Sequence, residues 1–404
     1  MGTDPDVSAR ATLNRRIKLL IEEIPRAKRA GTRHPDPSMA LLLSYAGCEG
    51  LIDEREFDRA ATAWIESIPI GGERGLVGGA SGTIIGLSFL SKQLETRPLL
   101  RSISAHITVR ARATGTFGYS SYDFTTSSAG IALSFAISEQ LDELHRPDGE
   151  LFYLVDLIRR GGLSSFLITD RSTVKINPWC ESRFNFGFAH GVTGVIASLS
   201  ECASFGDPHV IDALYALTYE LLEIMSECPT TVQGFPAAAG PEGDFWFGRG
   251  DGWCYGRDGA HASLSQALQV LDWKPAALGT DLLTPRALTS DATAVPADID
   301  DPRDVNGLCH GALGRALCTQ STQASLAPSF PEVSGTAGAE KVPSLHAALQ
   351  WVQSSDLHTP DHGGTFLHSE AGELAACLAI AGLDARAFSL LGLRAPSKQK
   401  GVDA

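Results

Sequence analysis

The stretch GASGTIIGLSFL, residues 79–90, decides the fold because its pattern recurs. Five later segments share it: SSAGIALSFAI (127–137), GVTGVIASLSE (191–201), GRDGAHASLSQ (256–266), GALGRALCTQ (311–320) and SEAGELAACLAI (369–380). Each has a small residue, two others, a glycine, and then an apolar segment with helical spacing. The second glycines, Gly82, Gly130, Gly194, Gly259, Gly314 and Gly372, stand 48, 64, 65, 55 and 58 residues apart. That period holds an inner helix, a loop, an outer helix and a return loop. One glycine pair would only punctuate a turn; six at similar spacing predict a ring of helical hairpins. Small residues three apart then remove bulk where helices converge, so that backbones or a ligand approach closely.

The sequence between the repeats agrees. ELFYLVDLIRR (150–160) and HVIDALYALTYELLEIMSEC (209–228) read as amphipathic helices, and so does the segment after Pro5, with Leu13, Ile17, Leu20, Ile21 and Ile24 on one side. Strand signals are sparse; SSFLITDRSTVKI (164–176) is the best candidate, as a small appended sheet or a loop. Glycine- and proline-rich connectors at 229–250 and 277–304 immediately precede two repeats, where binding loops on a rigid scaffold are expected. A third irregular link is expected over 320–344. The expected organisation is N-terminal helices in 1–78 packing on the ring, the ring itself over 79–393 in one domain with them, and a disordered tail over 394–404.

Composition bounds the function. The 404 residues carry a net charge of −14 without a Lys/Arg block, which argues against nucleic acid, since phosphate-backbone binding needs clustered cations. No apolar run reaches the roughly 18 residues of a membrane span, and none near the N-terminus suits a signal peptide. A cytoplasmic location is expected. The eight cysteines are scattered, so free buried thiols or metal ligands are expected rather than a disulfide framework.

The residues just before each glycine pair differ, and the difference is chemical. The second repeat has Tyr122-Asp123, the third Phe188-Ala189-His190, the fourth Trp253-Cys254-Tyr255 and the fifth Leu308-Cys309-His310. In a closed ring these converge at one end of the axis. Cys254, Cys309 and His310 then form a Cys₂His set. Two thiolates and an imidazole favour Zn²⁺, and three protein ligands leave a fourth, open position, as in catalytic zinc sites. Helix N-termini also favour the thiolate forms. A lone buried cysteine usually only packs. That reading suits Cys48, Cys180, Cys202, Cys228, Cys318 and Cys377, and packing or surface positions suit His261 and His368 as well.

FAHGVTG (188–194), WCYGRDG (253–259) and LCHGALG (308–314), in this order, resemble the lanthionine synthetase C-like family, the cyclases of lanthipeptide biosynthesis. The resemblance runs through all the repeats, from Gly79 to SEAGELAA. It implies an all-α fold, an α/α toroid of six to seven helical-hairpin repeats around a zinc site. It also implies that Cys254, Cys309 and His310 are the zinc ligands, His190 the acid/base, Asp123 the catalytic aspartate and Tyr255 an active-site tyrosine. The family's arginine stands four residues before the zinc cysteine; Gly250 occupies that place here, and Arg249 lies one residue further away. Ser127 and Ser369 replace a usual glycine.

The implied reaction adds a peptide cysteine thiol to dehydroalanine or dehydrobutyrine in the same peptide, giving a (methyl)lanthionine thioether. The implied partners are a dehydrated precursor peptide and a separate dehydratase, since only about 78 residues precede Gly79. Two alternatives stand beside it: a thiol-alkylating zinc toroid of the prenyltransferase β-subunit type, and a non-catalytic member that binds thiol peptides or glutathione.

Overall fold

The computed structural model describes residues 5–29, 36–69, 73–108, 118–142, 148–228, 236–247, 252–273, 307–326, 343–354 and 366–396. In chain order the helices begin with α1 (Pro5–Arg29), α2 (Pro37–Cys48), α3 (Glu54–Glu66), α4 (Ala80–Leu90), α5 (Arg97–Thr108) and the single turn α6 (Tyr119–Tyr122). They continue with α7 (Ser128–Asp142), α8 (Asp148–Gly161), α9 (Arg171–Ile176), α10 (Val192–Ala203), α11 (Pro208–Ser226) and α12 (Arg257–Val270). Then come α13 (Ala312–Leu326), α14 (Leu345–Ser354), α15 (Glu370–Ile380) and α16 (Arg386–Leu390).

Two kinds of helix are distinguished by burial. In α4 and α10 nearly every residue is buried, because their sequences are apolar or small all round, and α12 is buried through most of its length although it carries His261 and Gln266. α11 instead buries a stripe, Val210, Ala213, Leu214, Leu217, Leu221, Leu222 and Met225, and leaves its other face to solvent. α1 does the same with Leu13, Ile17, Leu20, Ile21 and Ile24, as its sequence predicts.

The fully buried helices form a ring. Among the described residues, α2, α4, α7, α10, α12, α13 and α15 each pack on the next, and α15 packs on α2. The stripe-bearing helices lie outside: α5 on α4, α8 on α7, α11 on α10 and α8, α14 on α15, and α1 against α2, α3 and α14. This is the expected α/α toroid. Its seventh inner member, α2, carries no glycine pair. Asp36 caps it instead, accepting from the Ser38 N–H at 2.9 Å, with Pro37 at the first helical position. The other Asp36 oxygen accepts from Ser369 Oγ at 2.7 Å, which ties the first inner helix to the last.

The glycine pairs have a sharper reason than converging helices. A Cβ on Gly82, Gly130, Gly194, Gly259, Gly314 or Gly372 would collide with the carbonyl oxygen six residues upstream, from Leu76, Phe124, Phe188, Trp253, Leu308 and Phe366 respectively. Each loop therefore folds back over the start of its own helix. The side chains of Leu76, Phe124, Phe188 and Leu308 rest in turn against Gly130, Gly194, Gly259 and Gly372, each the glycine of a later repeat.

Backbone hydrogen bonds join the loops. The Val77 N–H donates to the Thr125 carbonyl (3.0 Å), Thr125 to Ala189 (3.3 Å), Ala189 to Cys254 (3.2 Å) and Cys254 to Cys309 (3.1 Å). Beneath this ladder Phe124, Phe188 and Trp253 meet edge-on or tilted, with centroids 5.1–5.9 Å apart. Such pairs contribute about 0.5–1.5 kcal/mol beyond burial. The chain after α16 reaches the same cluster: Trp253 Nε1 donates to the Leu391 carbonyl at 3.0 Å, and Gly392, at φ +65°, leaves no room for a Cβ against the Phe124 ring.

The strand expected over 164–176 is absent. Gly162–Phe166 is a 3₁₀ turn, and Asp170 caps α9 by accepting from the Thr173 N–H at 2.9 Å, so local capping wins over the β-propensity of the segment. A three-stranded antiparallel sheet does occur, built from β1 (Phe184–Asn185), β2 (Pro236–Ala239) and β3 (Phe245–Phe247) in the order β1-β2-β3. β2 and β3 lie in the connector expected over 229–250. The irregular link expected from 320 begins later, because α13 runs through Leu326. The connector at 277–304 lies outside the described residues.

Candidate functional site

Apart from Asp123, which stands seven residues before Gly130, the described candidate residues occupy two registers of the repeat. Five residues before the second glycine stand Thr125, Ala189, Cys254 and Cys309; four before it stand Thr126, His190, Tyr255 and His310. The loop ladder passes through the first register and so brings the second to one end of the ring.

Cys254, Cys309 and His310 offer ligand atoms within 4.8 Å of one another. Cys254 Sγ lies 2.8 Å from His310 Nε2, and Cys309 Sγ lies 3.9 Å from it. Bond lengths of about 2.0–2.3 Å put tetrahedral ligand atoms roughly 3.5 Å apart, within the span of this trio. Adjacent side chains such as Cys309 and His310 reach one point because they precede α13 rather than sit within it. Both thiols are buried. Burial, followed by the neighbouring Cys309 sulfur, pushes the Cys254 thiol well above its ordinary pKa, a state that a bound cation would reverse. Two soft sulfurs and an imidazole fit zinc, and no oxygen ligand joins them among the described residues.

Beside the trio lies His190. Its Nδ1 is 2.5 Å from Asp123 Oδ2 and 3.3 Å from Thr125 Oγ1. Asp123 is fully buried, and its second oxygen accepts from Thr125 Oγ1 (2.6 Å) and the Thr126 N–H (2.7 Å). The carboxylate thus has one oxygen fixed by its own loop and the other given to the imidazole. That contact places the ring proton on Nδ1 and leaves Nε2 as the exchanging nitrogen. Burial lowers the pKa of His190, but the Asp123 hydrogen bond and charge outweigh it, and the Cys309 charge adds to them. The net shift is upward from 6.5.

Tyr255 completes the cluster, its ring centroid 5.8 Å from that of His190. The closeness depends on Gly187, where a Cβ would sit 2.5 Å from the Tyr255 ring. Three residues that the sequence did not single out stand behind Tyr255, two of them against its hydroxyl and the third against Tyr119. The Tyr119 hydroxyl is 3.3 Å from the Tyr255 hydroxyl, and Asn185 Nδ2 is 2.9 Å and 3.4 Å from the two oxygens. Asn177 Nδ2 is 3.1 Å from the Tyr119 oxygen. Tyr119 also stacks on His190, with centroids 5.0 Å apart. Burial raises the pKa of both phenols, so each keeps its proton. At the edge, half-buried Trp179 and Trp246 stack at 4.5 Å, and Trp179 meets Tyr255 edge-on.

The structure therefore brings together Cys254, Cys309, His310, His190, Asp123 and Tyr255. Arg249 lies outside the described residues. His261 is buried, Cys202, Cys318 and Cys377 are core, Cys48 is exposed and Cys228 is partly buried. Cys180, expected as incidental, is also near this cluster, its Sγ 4.0 Å from the Tyr119 hydroxyl.

Residues 41–329 match the family described as "Lanthionine synthetase C-like protein". Among solved structures the chain is similar to one titled "Nisin cyclase", with a TM-score of 0.66, 16% identity, and coverage of 94% of this chain and 98% of that chain. At that identity the likeness bears on the toroid fold. No curated protein matches the sequence.

Proposed function

Because the chain belongs to the lanthionine synthetase C-like family, we propose that it is a lanthipeptide cyclase. Its substrate is a dehydrated precursor peptide, made by a separate dehydratase and met in the cytoplasm. The peptide's cysteine sulfur bonds to the β-carbon of dehydroalanine or dehydrobutyrine as the carbon–carbon π bond breaks. The electron pair moves to the neighbouring carbonyl as an enolate, and protonation of the α-carbon restores the carbonyl. The thiol proton lost equals the α-proton gained, so no further reactant is needed.

The observation that carries this reading is the meeting of a Cys₂His trio with a carboxylate-oriented imidazole at one end of the ring. Cys254, Cys309 and His310 hold the zinc, which when bound would lower the pKa of a coordinated peptide thiol from about 8.5 so that it reacts near neutral pH. His190 moves the proton at Nε2, while its Nδ1–H keeps donating to the Asp123 carboxylate. Tyr255 donates to the enolate oxygen, where negative charge develops. Arg249 joins that role through the family resemblance alone. Asp123 and Thr125 hold the imidazole in one orientation, so the proton is delivered from a fixed direction.

The test incubates the purified protein with a dehydrated precursor and counts free peptide thiols by alkylation. Thiols should disappear without a change in peptide mass. The protein should carry one zinc, lost in Cys309→Ala. His190→Ala should keep the metal and slow ring closure at least a hundredfold, the ordinary contribution of a general acid–base group being about 10²–10⁴. Full zinc in Cys309→Ala sinks the ligand assignment. Unchanged thiols with several precursors favour a thiol-peptide binder instead.

A further inference from the structure

Hydrogen-bond accounting around Tyr255 identifies a residue that acts behind it, and this inference rests on the cyclase reading for its kinetic arm only. A tyrosine hydroxyl has one proton to give and two lone pairs to fill. The Asn185 amide can be oriented without ambiguity. Its Oδ1 accepts from the Gly187 N–H at 2.8 Å, so Nδ2 is the atom that faces the two tyrosines. Asn185 Nδ2 and Asn177 Nδ2 both donate to the Tyr119 oxygen, at 2.9 and 3.1 Å. With both lone pairs occupied, Tyr119 must act outward as a donor.

Two acceptors are within its reach. Cys180 Sγ lies at 4.0 Å, is a weak acceptor, and itself donates to the Asn177 carbonyl at 2.8 Å. The Tyr255 oxygen lies at 3.3 Å. We infer that Tyr119 is a positioning residue: the two asparagines direct its proton onto the Tyr255 oxygen, and this obliges Tyr255 to point its own proton at the substrate. The Tyr255 oxygen then accepts from Tyr119 and, at 3.4 Å, from Asn185, so neither partner competes for its proton. A developing enolate oxygen meets a donor already aimed, without reorganisation during the reaction. The stacking of Tyr119 on His190 fixes the same ring that sets this direction.

Tyr119→Phe removes the proton and leaves the stacked ring. It should lower kcat about tenfold, the value of one hydrogen bond expressed only in the transition state, with KM within about twofold and zinc content unchanged. In a Tyr255→Phe background the same substitution should cost nothing further. Asn185→Asp turns the donor into an acceptor, diverts the Tyr119 proton and should reproduce the loss. Losses that multiply in the double variant overturn the inference, as does an unchanged kcat in Tyr119→Phe. A second arm needs no turnover: 3-fluorotyrosine at position 255 should give a ¹⁹F line that moves on Tyr119→Phe, and an unmoved line overturns the inference. A wild type that consumes no thiols, with a line that moves, sinks the cyclase reading and leaves the tyrosine pair standing.

Discussion

At the residue scale the chemistry of the site comes from what stands behind each reactive atom. His190 is an ordinary imidazole until buried Asp123 takes its Nδ1. The folded-state pKa of His190 lies above its unfolded 6.5, since Asp123 outweighs burial. The pair thus contributes its full stabilisation below about pH 6.5 and loses it as pH rises through the raised value. Asp123→Asn should accordingly lower the melting temperature more at pH 6 than at pH 9, measured at constant zinc content; an equal drop at both would show that the ion pair adds nothing. Cys254, Cys309, His310 and His190 were legible because each stands at a fixed offset from a repeated glycine. Tyr119, Asn177 and Asn185 were not. Tyr119 lies on a four-residue turn, Asn177 directly follows α9 and Asn185 ends the two-residue β1, where no periodicity marks a polar side chain as functional.

At the scale of elements, the unit of this protein is the loop that folds back onto its own helix. Gly→Ala within a helix ordinarily gains about 0.5–1 kcal/mol. Gly194→Ala should do the reverse, because its Cβ would strike the Phe188 carbonyl, and overpacking of that kind costs about 1–3 kcal/mol. Gly149→Ala on α8 is the control, since nothing lies within 4 Å of its Cβ position, and it should be neutral or stabilising. Denaturant melts of the two variants decide the matter; equal effects would remove the steric reason for the repeat. The repeat could be read because six copies of one collision leave six glycines. The sheet could not. β1 has two residues, and Phe184 pairs with Ala239 far along the chain, so there is neither length nor local pairing to betray it. In 164–176 the apolar and β-branched residues are real, but the Gly162–Phe166 3₁₀ turn and the Asp170 cap of α9 override them.

At the scale of the whole molecule, the ring is braced from its centre and fastened at a seam. Leu391 accepts from the Trp253 indole and Gly392 packs on the Phe124 and Phe188 rings beside it, and Trp253 precedes Cys254, the proposed zinc ligand. Arg386 clamps the far ends of α2 and α4, donating to Ser44 Oγ at 3.0 Å and the Phe89 carbonyl at 3.4 Å. Truncation before Arg386 should therefore reduce zinc content as well as stability, whereas Trp253→Phe, which loses the indole N–H and leaves a cavity at a fully buried position, should cost about 2–4 kcal/mol and retain the metal. Full zinc in the truncated chain would show that the brace does not reach the site.

The seam has a consequence during synthesis. Asp36 and Ser369 meet across 333 residues of chain, and α2 is buried on every side only once α15 lies beside it. At about 5–20 residues per second, the ribosome needs roughly 17–67 seconds to supply the partner of an apolar helix it has already released. For that interval Leu41, Leu42 and Leu43 have no finished home, and the nascent chain becomes a client for any chaperone that holds exposed leucines.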